Sequence, residues 1–158
     1  MLENKVKKIA ERIMRMHAGF ITEESTPIVK KIEGAFRNII EMFKELEQEL
    51  NVTENKTAGI SLHDQKSILG RLLLRSTGIH NEAMLLHDLG EDIVRLKKSN
   101  QRIKDIFVKI RDILSDMMSR LHKIETYAHT PVEHRDVKTH QNNFGLLKRK
   151  YDILIGKM

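Results

Sequence analysis

Residues 86–124 read LHDLGEDIVRLKKSNQRIKDIFVKIRDILSDMMSRLHKI. Within them Leu86, Leu89, Ile93, Leu96, Asn100, Ile103, Phe107, Ile110, Leu114, Met117, Leu121 and Ile124 follow one another in alternating steps of three and four. That spacing lines side chains along one side of an α-helix, and all but Asn100 are apolar. The stretch therefore decides the fold class: all-α, an elongated helical bundle or coiled coil of about five helices. Taken as unbroken, it predicts one long helix over about 80–127, roughly 70 Å at 1.5 Å per residue. No single short neighbour covers such a rod. Two helices packed end to end along it, or a second chain, must do so.

Upstream, Leu62, Leu69, Leu72, Ile79 and Ala83 form a stripe that reaches Leu86 out of phase. The slip implies a stutter or a bend between Gly78 and Gly90, and Ser76-Thr77-Gly78 favours a bend. The expectation is a helix over about 62–76, opened by Ser61 with Asp64, and the long helix after it. Residues 51–60, NVTENKTAGI, read as an exposed loop. Before it, Val29, Ile32, Phe36, Ile39, Phe43, Leu46 and Leu50 mark a helix over about 27–50, with Thr26 and Pro27 as its start. Leu2, Val6, Ile9, Ile13, Met16 and Phe20 predict another over about 2–19. Downstream, Thr130-Pro131-Val132-Glu133 is a capping box with proline in the first turn, and Val137, His140, Phe144, Leu147, Tyr151 and Leu154 continue a helix over about 131–156. One all-helical unit over 1–158 follows.

Composition agrees. Hydrophobic residues at 40% supply a core, and only two prolines interrupt a chain rich in Lys, Glu, Leu and Ile, which favour helices. The absence of cysteine excludes disulfides and thiol chemistry and fits a reducing, intracellular and cytoplasmic setting. No secretory signal is visible, and no stretch approaches the roughly 20 apolar residues of a membrane span. The triplets at Asn51 and Asn55 are then unused glycosylation patterns.

Asn100 holds a seam position, where a buried amide pairs with its mate across a parallel dimer, or else it marks a solvated stretch within SNQR. Asp92 with Lys97 and Arg120 with Glu125 would flank such a dimer. Ile106, Ile113 and Met118 widen the face, so three or more helices are expected to meet there. The candidate protein-interaction residues are Leu86, Leu89, Ile93, Leu96, Asn100, Ile103, Ile106, Phe107, Ile110, Ile113, Leu114, Met117 and Leu121, with Phe144, Leu147, Tyr151 and Leu154 on the last helix.

His87 and Glu91, four apart, are a possible metal-ligand pair, but two ligands do not make a site, and no metal or cofactor is expected. His129 and His134 straddle the Pro131 turn as ordinary loop histidines. His87-Asp88 resembles the phosphoacceptor position of bacterial phosphorelay bundles, without the small and lysine neighbours that follow it there. Arg102-Ile-Lys-Asp-Ile-Phe-Val-Lys-Ile-Arg-Asp112 resembles a helix of the small helical subunits of organelle-positioning complexes, without the Lys-x-Asp-Leu tetrad. Neither resemblance transfers a site.

Basic clusters at Lys5, Lys7, Lys8, Arg12 and Arg15, at Lys97, Lys98, Arg102 and Lys104, and at Lys148, Arg149 and Lys150 offer phosphate contacts, though nearby acids dilute them and aromatic stacking platforms are lacking. The first cluster also suits an anionic membrane. Met14, Met16, Met117 and Met118 suit either core or partner groove. No phosphate loop, nucleophile elbow or carboxylate pair points to catalysis. The expectation is a non-enzymatic helical interaction protein, a coiled-coil subunit or adaptor that meets other helical chains as a homo- or hetero-oligomer. The alternative is a basic binder of nucleic acid or an anionic surface.

Overall fold

The computed structural model describes residues 25–54 and 59–158, so the helix expected over 2–19 lies outside the described residues. Helix α1 spans Ser25–Glu54, α2 Leu62–Arg95, α3 Gln101–Ile124 and α4 Pro131–Gly156, with a 3-10 turn at Glu125–Tyr127 between the last two. No strand occurs among the described residues.

The long helix expected over 80–127 is not there. Helix α2 runs unbroken through Ser76-Thr77-Gly78, where the bend was expected, and the chain turns at Leu96–Asn100 instead. At 76–78 nothing forces a break: Ser76 is buried in the helix packing, and a Cβ on Gly78 would make only ordinary contact, 3.5 Å, with Met42 Sδ. At 96–100 the backbone forms a Schellman end. Lys98 N–H donates to the Ile93 carbonyl at 3.0 Å, Lys97 N–H donates to the Val94 carbonyl at 3.0 Å, and Lys97 takes the left-handed conformation at φ 56°. Asn100 is exposed and caps the next helix, its Oδ1 accepting from Ile103 N–H at 2.9 Å. Its amide is thus a cap and not a buried seam residue. The stripe kept its spacing across the break because α2 and α3 face the same core.

The expected loop at 51–60 is also shorter, since α1 continues to Glu54. Thr53 is buried in its last turn, and its hydroxyl donates to the Glu49 carbonyl at 2.7 Å. Helix α1 already includes Ser25 and Thr26, one to two residues before its expected start, whereas the starts of α2 and α4 match their sequence signals. Ser61 Oγ accepts from Asp64 N–H at 3.1 Å, and Thr130 and Glu133 form a reciprocal capping box with Pro131 in the first turn.

Helices α1 and α2 form one antiparallel hairpin and α3 and α4 another. The hairpins stack so that like-directed helices lie side by side. Glu33–Arg102, Glu47–Arg120 and Glu54–Lys123 pair α1 with α3 in ascending order. Ser76 with His140, His80 with Phe144 and His87 with Tyr151 do the same for α2 and α4. A single buried cluster joins all four helices, with Ile32, Ile39, Leu46, Leu72, Leu86, Phe107, Phe144 and Tyr151 among its fully buried members. Such burial removes about 1.5–3 kcal/mol worth of apolar surface from water per large side chain. Gly90 lies where α2, α3 and α4 converge. A Cβ there would stand 2.5 Å from the Phe107 ring and 2.7 Å from Leu154 Cδ2, so close packing explains a glycine in the middle of a helix.

Candidate functional site on the bundle surface

The heptad seam read from the sequence faces the chain's own core. Leu86, Leu89, Ile93, Ile103, Ile106, Phe107, Ile110, Ile113, Leu114, Met117 and Leu121 are buried among the described residues, as are Phe144, Leu147, Tyr151 and Leu154. Leu96 is half-buried at the turn and Asn100 exposed. Of the residues that widened the seam, Ile106 and Ile113 are buried and Met118 is exposed. The structure thus brings the two candidate stripes together, against each other.

Other apolar side chains stay outside. Leu74 is 74% exposed and Leu85 49%, and their spacing of eleven residues sets both on one outward face of α2. Leu146 at 52% and Ile153 at 63% share an outward face of α4, seven residues apart, beside the exposed Arg149 and Lys150. The sequence stripes did not flag these residues, because they fall off the heptad positions. Their signal is the opposite one, a large apolar residue on a polar helical face.

The basic clusters are partly neutralised. Arg102 is paired with Glu33, and Lys148 lies 3.4 Å from Asp152, which also faces Arg111 at 3.5 Å. The cluster at Lys5 to Arg15 lies outside the described residues.

A cleft of about 660 Å³ opens between the end of α1 and the start of α2, lined by Glu45, Glu49, Ile60, Ile68, Arg71 and Arg75. Arg71 Nε donates to Glu49 at 2.9 Å, Arg75 donates to the other Glu49 oxygen, and Arg75 also reaches Glu45 at 3.0 Å. Burial works to raise the Glu49 carboxyl pKa, but the hydrogen bonds and charges of the two guanidiniums outweigh it and hold it below the ordinary value. The charged groups here are satisfied by one another. The arrangement braces the hairpin and offers no nucleophile with an adjacent base.

Along the α2–α4 seam histidines supply most of the polar contacts, and His140 among them was a member of the sequence stripe of the last helix. His140 Nδ1 lies 3.3 Å from Ser76 Oγ, and the His80 ring meets Phe144 edge-on at 5.3 Å. Desolvation lowers the pKa of both; for His80 the Lys150 charge adds to it, and for His140 the charge of His80 does. The buried Tyr151 hydroxyl donates to the Ala83 carbonyl at 2.6 Å, and its pKa is raised well above the ordinary value by burial first and by Asp88 second. His87 and Glu91, four residues apart in sequence, lie with Nδ1 3.6 Å from Oε1, and Asp88 Oδ1 is 3.8 Å from the same nitrogen. His129 and His134 are occupied separately at the α3–α4 junction, with Gln65 and with Glu125 at 3.0 Å.

None of the described helices is long and apolar enough to cross a membrane. Comparison with protein-family models, curated proteins and solved structures finds no match to this chain.

Proposed function

We propose that the chain is a non-enzymatic helical interaction protein, a coiled-coil subunit or adaptor of a larger assembly, which meets other helical chains through the outward faces of α2 and α4. The observation that carries this reading is the exposure of Leu74, Leu85, Leu146 and Ile153 on a bundle whose stripes over 86–124 and 137–154 already cover one another among the described residues. Full burial of each such side chain against a partner helix contributes at most about 1.5–3 kcal/mol, a gross gain that is set against the cost of association. An intracellular, cytoplasmic setting goes with it and is supported by a cysteine-free sequence.

Light scattering on a sizing column, run over a range of concentrations and on chain purified from its own cells, tests the reading. The expected result is self-association or a stoichiometric helical partner, abolished by Leu146→Asp with Ile153→Asp at unchanged helicity. A chain that stays monomeric and purifies alone contradicts it.

A second reading, a basic helical protein on nucleic acid or an anionic membrane surface, rests on the net charge of +6 and on Arg149 and Lys150 exposed beside Leu146 and Ile153. Phosphate contacts weaken steeply with salt while apolar docking does not, so a titration at rising ionic strength separates the two.

A further inference from the structure

We propose that His87, Asp88 and Glu91, beside the α2–α4 cleft, form a binding site for a first-row divalent cation of the zinc class. His87 Nδ1 lies 3.8 Å from Asp88 Oδ1 and 3.6 Å from Glu91 Oε1, and the three donor atoms all fall within 4.8 Å of one another. A zinc-like ion with bonds of about 2.0–2.2 Å holds neighbouring ligand atoms roughly 3–3.5 Å apart. Closing the remaining gap takes small rotations of Asp88 and Glu91, which are 75% and 59% exposed and free to make them.

The imidazole, in contrast, is held. The His87 side chain is only 13% exposed, and its ring packs 5.6 Å from that of Tyr151, which is anchored through its hydroxyl to the Ala83 carbonyl. A fixed nitrogen with two adjustable carboxylates is a half-assembled facial ligand set, leaving the remaining coordination positions to water.

Charge points the same way. Among the described residues neither Asp88 nor Glu91 has a lysine or arginine within ion-pair distance, and their ion-pair contact is with His87. With neutral imidazole, two negative charges face each other with no cation between them. A divalent ion neutralises both. The imidazole selects zinc, cobalt or nickel over calcium and magnesium, which take all-oxygen shells. Lys150 and Lys157 line the same cleft and oppose a cation, so moderate affinity is expected.

Isothermal titration of the full chain with zinc, and the visible absorption of added cobalt(II), test the site. The expected result is one dominant equivalent that raises the melting temperature of the wild-type chain. Asp88→Asn and Glu91→Gln, both at exposed positions, should keep the helical circular dichroism. Each should weaken binding by at least the about 10–100-fold that loss of an outer-shell partner costs, because each removes a direct ligand. His87→Gln should abolish the cobalt band. Wild-type chain that takes up no zinc at millimolar concentration, or variants that bind as the wild type does, would overturn the proposal; in the second case the metal sits on other histidines.

Discussion

The two parallel helix pairs are built from different chemistry. Between α1 and α3 the cross-links are ion pairs at the rim: Glu33–Arg102, Glu47–Arg120 and Glu54–Lys123. Between α2 and α4 they are histidines and aromatics, with a buried tyrosine hydrogen bond, a close approach at Gly90, and ring pairs that meet edge-on or tilted in ascending order. Solvated ion pairs contribute little and tolerate adjustment, whereas packed rings fix one register. Helices α2 and α4 therefore form the rigid side of the bundle, and α1 and α3 the adjustable one.

The comparison is broken most severely at Gly90. Overpacking costs about 1–3 kcal/mol against a helix-propensity gain of about 1. With Phe107 and Leu154 both in the way, Gly90→Ala should lose up to about 2 kcal/mol net, read from urea unfolding. Unchanged stability would show that the pair is looser than it looks. Tyr151→Phe removes one buried hydrogen bond whose acceptor lies within a helix, and should cost about 1 kcal/mol.

Acid sharpens the contrast without mutation. Burial lowers the pKa of His80 and His140 in the folded chain from an ordinary 6.5, so the unfolded chain binds protons first. Their stabilising neutrality is fully present above about 6.5 and is lost as pH falls from there through the folded values. The lowered carboxyls of Glu49, Glu125 and Glu133 act only further down, as pH falls below their ordinary 4.5. The melting temperature should therefore begin to drop between pH 7 and 5, and His140→Gln should flatten that limb. A flat profile in the wild type would mean that the seam admits water. The smallest effect is expected on the other side: Arg120→Ala should cost under about 1 kcal/mol. Most of that loss should persist in high salt only if the contact of Arg120 with the Phe43 ring, 6.0 Å to its centroid, outweighs its pair with Glu47.

How much of this was legible depends on whether a local rule or the tertiary core set the outcome. The start of α4 was readable because Thr130, Pro131 and Glu133 each act within one turn of backbone. The α2–α3 turn was not. Its left-handed position is filled by Lys97 where glycine is the usual signal, at about 1–2 kcal/mol of steric cost, and Leu96, Asn100 and Ile103 keep heptad spacing across it. Gly78, by contrast, looked like a break and is not one, since the helix is held on its far side by packing against α1 and α4. Core membership was readable from periodicity for most of the described stripe positions, Leu62 at 67% exposure being the clear exception. Whether they cover one another or another chain was not, because both arrangements bury the same faces. The outward Leu146 and Ile153 were passed over for lying off the stripe, and the contact of the stripe residue His140 with Ser76 was not readable because that neighbour lies 64 residues away.

The chain's own helices cover the seam only if the backbone reverses at 96–100. Spin labels at Asn81→Cys and Asp116→Cys, both exposed positions in a chain with no other cysteine, measure this directly. An unbroken helix would separate the two backbones by about 52 Å at 1.5 Å per residue. The reversal at 96–100 brings them to within about 20 Å, given packed helices 8–10 Å apart and a diagonal neighbour. A single short distance distribution is the predicted result, and a population near the longer value would contradict the fold and return the seam to a partner chain.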